Sequence, residues 1–159
     1  MNFIAAVQSF LDAGVDFVII GGWSAILHGS SYMTNDLDVC FSRGRDNLKA
    51  LARALAPYHP RLRGIPAELP FVWDDATLRN ATVFTLSTDL GDIDLLAEVA
   101  GVGDFAAVKA HSIVVDAYGR QVRTLDLRSL IRSKQAAGRV KDLQILPELE
   151  ALAEAQEPE

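Results

Sequence analysis

Two glycines and two aspartates near the N-terminus have types and spacings that suit phosphate and metal chemistry. Gly21 and Gly22 follow a short apolar segment, and Asp36 and Asp38 flank a single leucine at the start of the next one. A backbone without side chains lets phosphate oxygens approach its N–H groups closely. The helix expected directly after the glycines adds free N–H groups and the positive end of its dipole, and Ser24 adds a hydroxyl near that helix start. The pattern predicts a phosphate-binding bend beside a pair of carboxylates.

The carboxylates of these aspartates are expected to converge. Side chains two residues apart in a strand point to the same face, so Asp36 and Asp38 should lie together. Two close carboxylates raise each other's pKa unless a cation lies between them, and Mg²⁺ prefers one or two carboxylates plus phosphate oxygens. A later segment offers a third carboxylate from Asp94 or, at the same spacing, from Asp92. Asp94 is favoured because Asp92 follows a glycine and suits a turn. It would complete a two-metal site or act as a general base.

Composition and length are those of an ordinary globular protein. The chain has 159 residues, of which 50% are hydrophobic and 23% are charged, and we expect a single domain over residues 1–159. No apolar run approaches the roughly 18 residues that span a bilayer, and no signal-peptide pattern is seen at the start. The single cysteine, Cys40, excludes an intramolecular disulfide, so a cytoplasmic setting is the simplest expectation. A net charge of −6 argues against broad, charge-driven binding of nucleic acid.

The elements that must position the acidic residues alternate between strands and helices. Strands are predicted at 15–20, 37–41, 81–87, 92–96, 112–116 and 121–124, to which 71–73 could add a short one, and helices at 23–28 and 46–56. Asn2 caps a first helix that Gly14 ends, and Asp126 caps a later helix that Gly138 stops. Pro147 is expected at the first position of a closing helix. These elements predict an α+β fold, with a mixed sheet of about five or six strands flanked by helices and a helical C-terminal part from about residue 126.

A glycine pair after a strand, an Asp-x-Asp on the next strand and a third aspartate on a later one resemble the nucleotidyltransferase superfamily typified by DNA polymerase beta. The segment S-L-I-R-S-K-Q-A-A-G-R-V-K-D-L-Q-I-L is similar to the closing segment of bacterial members related to the AbiEii-type toxins. The resemblance implies the nucleotidyltransferase fold, a nucleoside triphosphate as substrate, and Mg²⁺ or Mn²⁺ as cofactor. It implies three groups of site residues: Gly21, Gly22 and Ser24 on phosphate, Asp36, Asp38 and Asp94 on metal and in catalysis, and Lys134, Arg139 and Lys141 facing the triphosphate or an acceptor.

The function that the resemblance implies is transfer of a nucleoside monophosphate to an acceptor. RNA such as tRNA, a protein or a small molecule could serve as acceptor, because the chain has no clear acceptor-binding domain. A toxin–antitoxin setting, with an antitoxin as partner, is a further expectation, and no membrane is expected to take part. Two other functions stay open: a catalytically inactive nucleotide-binding or protein-interaction module on the same fold and, more weakly, a metal-dependent phosphodiesterase.

Several of these residues also have purely structural interpretations. The glycine pair can form a tight turn, and Asp36 can cap or begin a strand. Lys134, Arg139 and Lys141 can be a solvated helix face, and Lys134 and Lys141 share a face only if the helix runs through Gly138. Asp142 is expected to pair with a neighbouring arginine or to cap a helix, rather than to bind metal.

Overall fold

The structure of the protein is a computed structural model that describes residues 1–157. Nine strands occur in the described part of the chain: β1 (Phe17–Ile20), β2 (Asp36–Phe41), β3 (Arg61–Leu62), β4 (Val83–Thr88), β5 (Gly91–Leu96), β6 (Glu98–Val99), β7 (Gly103–Asp104), β8 (Ser112–Ala117) and β9 (Arg120–Leu125). The same residues form seven α-helices: α1 (Phe3–Asp12), α2 (Gly21–Leu27), α3 (Arg45–Leu55), α4 (Asp75–Arg79), α5 (Phe105–Ala110), α6 (Leu127–Ala137) and α7 (Val140–Gln156).

The strands build a mixed sheet, as the sequence predicts. Its seven strands follow the order β3-β4-β5-β2-β1-β9-β8, and β6 and β7 form a separate hairpin. The pairs β2–β5 and β1–β9 are parallel, and the other pairs of this sheet are antiparallel. The sheet exceeds the expected five or six strands because β3 adds a two-residue edge strand.

The short strand that residues 71–73 could have added is not formed. Its aromatic residue is used in packing instead, because the Trp73 indole donates a hydrogen bond to the carbonyl of Ala52, at 2.9 Å, on α3. The Asp74 side chain then accepts from the Thr77 N–H at 2.8 Å and caps α4. Trp73 thus contacts α3 and Asp74 caps α4, and residues 71–73 do not pair with the sheet.

The two faces of the sheet have different cover. Alternating strand residues such as Leu37, Val39 and Ile93 pack in one core with α1 and α3. Residues of the opposite face, including Val18, Ile20 and Cys40, pack in a second core with α5, α6 and α7. This second cover does not extend to β4, whose outward side chains at Val83 and Thr85 are exposed. The second face is therefore divided into a part under helices and an open part.

Helix ends follow the predicted capping residues. The Asn2 side chain caps α1, Asp126 caps α6, and Gly138 ends α6 with a left-handed φ of +64°. The helix after the glycine pair differs from the prediction, because it already begins at Gly21. None of the helices within residues 1–157 is long and apolar enough to cross a membrane.

The closing segment also differs from the prediction. Residues 140–156 form one continuous helix with Pro147 inside it, and not a separate helix that starts at this proline. An interior proline costs a helix about 3 kcal/mol. The buried side chains of Ile145, Leu149 and Ala153 keep one helical register on both sides of Pro147. Packing of this apolar stripe offsets the local cost.

We expect Asp126→Ala to destabilise the protein by about 1 kcal/mol, because the Asp126 carboxylate accepts from the Ser129 N–H at 2.7 Å. Thermal unfolding should show a melting temperature lower by about 2–4 °C. Asp126→Asn keeps a capping oxygen and should remain near the wild type. An equal loss in both variants would mean that the carboxylate charge, and not the cap, stabilises this helix.

Candidate functional site

Four aspartates share the second face of the sheet where the helical cover ends. The parallel pairing of β2 with β5 sets Asp36 opposite Asp92 and Asp38 opposite Asp94. Because neighbouring strands lie about 4.8 Å apart, side chains paired on one face are in reach of each other. We call these four residues the acidic face. Its register makes Asp94 the neighbour of Asp38 and Asp92 the neighbour of Asp36.

Asp38 is the most strongly perturbed member of the acidic face. Burial, followed by the charge and hydrogen bonding of Asp94 and the charge of Asp36, raises its pKa to about 7, while Lys134 opposes the shift. The buried Oδ1 atom of Asp38 has no hydrogen-bond partner within residues 1–157. A half-buried carboxylate with a buried, unpaired oxygen beside further carboxylates fits a divalent cation, which would replace the missing partner.

The glycine bend, Gly21 and Gly22, packs tightly against this carboxylate. A Cβ atom at Gly21 would lie 2.4 Å from Oδ2 of Asp38, and the residue has a φ of +64°. A Cβ at Gly22 would lie 2.8 Å from the Cβ of Thr34, so Gly22 is buried beneath this loop residue. Gly21 therefore lines the open space beside Asp38, whereas Gly22 is needed for packing. Binding of phosphate by this bend stays a prediction.

A cleft of about 130 Å³ opens between Gly21, Asp38 and the junction of α6 with α7. Lys134 and Arg139 line its wall, as does Asp142, whose side chain is fully buried. Lys134 Nζ lies 3.3 Å from Asp142 Oδ1, and Arg139 Nε lies 2.7 Å from Oδ2. Burial opposes ionisation, but hydrogen bonding by Arg139 and the charges of both cations lower the pKa of Asp142. Asp142 thus holds both cations at the cleft.

The helix-capping interpretation of Asp142 is confirmed. Its carboxylate accepts a hydrogen bond from the N–H of Arg139, at 3.2 Å, and closes a capping box at the start of α7. The capping bond and the two ion pairs are made by one buried carboxylate. The start of α7 and the position of Lys134 therefore depend on the same side chain.

Two of the predicted site residues lie elsewhere. Ser24 does not reach the cleft: it is fully buried, and its Oγ accepts a hydrogen bond from the Thr124 hydroxyl at 2.7 Å. Lys141 is exposed and borders a separate groove with Tyr32. The left-handed residue Gly138 ends α6, so Lys134 and Lys141 do not share one helical face. Ser24 lies in the first turn of α2, which begins at Gly21, and its side chain faces the core toward Thr124.

One residue of the site was not anticipated. Arg63 lies with its terminal nitrogen 2.8 Å from Asp94 Oδ1 and its Nε 3.3 Å from Asp92 Oδ2. It follows the two-residue edge strand β3, in a stretch between α3 and α4 that contains several prolines. No local pattern in the sequence connects it to the acidic face, because the contact depends on the pairing of β3 with β4.

The three-carboxylate metal site expected from the sequence is not assembled as a compact group. Within residues 1–157, no three His, Cys, Asp or Glu side chains are grouped so that they could hold a metal ion. Asp36, Asp38 and Asp94 do share one face, but Oδ1 of Asp94 is bonded to Arg63. The metal-binding role of these three residues therefore stays a prediction.

Solved structures with the same fold cover nearly the whole chain. The lincomycin-bound lincosamide antibiotic adenylyltransferase LnuA matches with a TM-score of 0.64 at 12% identity, over 95% of this chain and 96% of that one. The antibiotic-resistance factor ANT(2'')-Ia matches with a TM-score of 0.55 at 16% identity, over 98% and 92%. An antigenic nucleotidyltransferase-like protein from Paracoccidioides brasiliensis matches with a TM-score of 0.56 at 15% identity, over 99% and 77%.

These likenesses establish the class of fold. No protein-family model and no curated protein matches the sequence. The chain has the nucleotidyltransferase fold, which confirms the α+β prediction and the resemblance at the level of the fold. The narrower relation to AbiEii-type toxins stays a prediction.

We expect Gly21→Ala to lower the free energy of unfolding more than Gly138→Ala does. Both glycines have a φ of +64°, so the left-handed backbone strain, about 1–2 kcal/mol, is common to both variants. The added methyl group at Gly21 meets Asp38 at 2.4 Å, whereas the nearest atom at Gly138 is 3.7 Å away. Denaturant unfolding measures the difference. Equal losses would show that the Asp38 carboxylate moves aside freely.

Asp38→Asn should stabilise the metal-free protein at high pH and have little effect at low pH. The pKa of Asp38 is about 7 in the folded protein against 3.8 for the ordinary carboxyl. The folded state therefore keeps a proton that the unfolded chain releases, and stability falls as the pH rises through this window. Thermal unfolding in a chelator, at about pH 4 and about pH 8, should show the variant gaining only at the higher pH. A gain of the same size at both values would contradict the assigned ionisation.

Proposed function

We propose that the protein is a nucleotidyltransferase that moves a nucleoside monophosphate from a nucleoside triphosphate to an acceptor, with Mg²⁺ or Mn²⁺ as cofactor. The observation that carries the proposal is the register that sets Asp38 beside Asp94, next to Gly21 and in front of two cations. The fold shared with an adenylyltransferase, LnuA, agrees with this chemistry. The fold alone hosts more than one activity, so the proposal depends on the site.

The site residues would have two kinds of role, which are binding and proton transfer. Lys134 and Arg139 are the cations at the cleft and would attract and orient the triphosphate. Asp36, Asp38 and Asp94 would hold the metal, which would neutralise negative charge developing on the phosphate oxygens. The buried and unpaired Oδ1 of Asp38 is the atom that best fits this role.

In this proposal, Asp94 would serve the acceptor. It lies at the border between the helix-covered part of the second face and the open part on β4. In the proposed reaction the acceptor oxygen forms a bond to the α-phosphorus, and the bond from the α-phosphorus to the bridging oxygen breaks. Pyrophosphate leaves with that electron pair, and the acceptor proton passes to Asp94.

A hydroxylated small molecule is the acceptor that we propose to test first. The structural neighbours LnuA and ANT(2'')-Ia are an antibiotic adenylyltransferase and an antibiotic-resistance factor. The net charge of −6 disfavours long nucleic acids, although the end of an RNA needs few phosphate contacts. A protein acceptor is a further class for the same assay. A toxin–antitoxin role belongs to this proposal through the sequence resemblance, and co-purification with the product of a neighbouring gene would test it.

The experiment is a transfer assay with each α-labelled nucleoside triphosphate and Mg²⁺ or Mn²⁺. Panels of hydroxylated small molecules, total RNA and proteins serve as acceptors. We expect Asp94→Asn to lower transfer about 100-fold or more while nucleotide binding persists, because a general base contributes roughly this factor. Asp38→Asn should weaken both steps, because the metal, which Asp36 and Asp94 would also hold, then loses the ligand with the unpaired Oδ1.

Asp89→Asn provides a matched control. Asp89 is an exposed carboxylate in the β4–β5 turn that pairs with His59, so its substitution changes the net charge equally at a distance from the cleft. Metal-dependent nucleotide binding by calorimetry without transfer to any acceptor would favour the catalytically inactive module. Full transfer by the Asp38 and Asp94 variants would refute the proposed site.

A further inference from the structure

Arg63 is fixed against the acidic face by several polar contacts. Its terminal nitrogen donates to Asp94 Oδ1 and to the Leu86 carbonyl, each at 2.8 Å, and its Nε faces Asp92. Its backbone N–H donates to the Thr85 carbonyl at 2.8 Å. The side chains of Arg63 and Asp94 are 30% and 20% exposed, so this ion pair is largely screened from water.

We propose that Arg63 is the built-in counter-ion of the metal-free site and that a divalent ion must compete with it for Asp94. This inference rests on the proposed function, because it takes the acidic face as the metal site. The planar guanidinium forms charge-assisted hydrogen bonds with carboxylates, and such bonds are stronger than neutral ones. An ion that takes Oδ1 of Asp94 as a ligand therefore has to displace a bond that already exists.

The grouping of the carboxylates supports this role. The parallel register brings Asp38 and Asp94 side by side, yet no three-ligand metal group is formed within residues 1–157. One oxygen of Asp94 is instead used by Arg63. Arg63 compensates the charge of Asp92 and Asp94, while Oδ1 of Asp38 stays without a hydrogen-bond partner in the described residues. The acidic face is thus divided between carboxylates that are ion-paired with Arg63, whose Nε has no hydrogen-bond partner in the described residues, and the unpaired carboxylate of Asp38.

The competition has a consequence beyond the cleft. Arg63 directly precedes the irregular segment 64–74, which we call the strap. The strap exposes the apolar side chains of Ile65, Leu69 and Val72. Loss of the bond to Asp94 removes one of the polar contacts that tie this end of the strap to the sheet. Binding of a divalent ion should therefore weaken the protection of the backbone amides next to Arg63 against hydrogen exchange.

The test uses Mn²⁺ alone, without nucleotide, and follows free Mn²⁺ by electron paramagnetic resonance. We expect Arg63→Gln to bind Mn²⁺ about tenfold more tightly than the wild type, since a bond between charged groups no longer competes. Arg61→Gln is the matched control, because Arg61 is an exposed arginine two residues away whose guanidinium bonds to the Ala67 carbonyl. It removes the same charge and should change affinity by about twofold or less.

The outcomes separate this inference from the proposed function. If Arg63→Gln and Arg61→Gln gain the same affinity for Mn²⁺, the effect comes from net charge alone, and the inference is overturned. Weaker binding by Arg63→Gln would mean that Arg63 holds the carboxylates ready for the ion, which also overturns it. In both cases Mn²⁺ still binds, so the proposed function stands. Failure of every protein to bind Mn²⁺ at about millimolar concentration would overturn the metal site and this inference together.

A second measurement does not depend on the stability of the Gln variant. Hydrogen exchange of the wild type should become faster at residues 63–65 when Mn²⁺ is added, and it should not change in Asp94→Asn. Arg63→Lys keeps the charge without the planar fork, so it should tighten Mn²⁺ binding by only a few fold. Unchanged or slower exchange at these residues on addition of Mn²⁺ would contradict displacement of Arg63.

Discussion

The site depends on one close approach, in which the Asp38 carboxylate is buried against a residue without a side chain. Gly21 leaves a space that a single methyl group would fill, since a Cβ there would lie 2.4 Å from Asp38 Oδ2. That space lets the carboxylate remain inside the cleft, where burial and the neighbouring carboxylates raise its pKa to about 7. The parallel pairing of β2 with β5 then fixes Asp94 beside it. The free energy of holding Asp38 there is unfavourable unless a proton or a cation is present, and this links the fold to a ligand.

Charge in the site is organised around two buried or partly buried pairings, with Asp38 between them. On one wall, Asp142 holds Lys134 and Arg139, and the same carboxylate starts α7. On the other side, Arg63 holds Asp94 and Asp92. Buried ion pairs are poor sources of net stability, but removal of one partner is costly because it leaves the other charge uncompensated. Such pairings therefore fix where charges lie, and they leave the unpaired oxygen of Asp38 as the place where an additional positive charge is most favourable.

Local sequence patterns predicted most elements of the fold and the composition of the acidic face, because caps, glycine stops and strand alternation act over a few residues. Asn2, Asp126 and Gly138 behave as expected for this reason. The errors arise where distant packing decides. Pro147 lies inside α7 because buried residues on both sides keep one helical register. Ser24 points into the core, where its hydroxyl bonds with that of Thr124, and not into the cleft. Arg63 could not be predicted at all, since it reaches Asp94 only through the order of strands in the folded sheet.

The second face of the sheet is covered by helices on one side of the site and open on the other. Helices α6 and α7 bring their cations to the cleft beside Asp38, whereas the outward side chains of β4 beyond Asp94 remain exposed. Under the proposed function a triphosphate would be attracted to the covered side, because Lys134 and Arg139 lie there. Under the proposed function an acceptor would approach over β4, next to Asp94 on β5. In this proposal, acceptor choice would depend on the surface of β3, β4 and the adjoining strap, and the chemistry of transfer on the cleft.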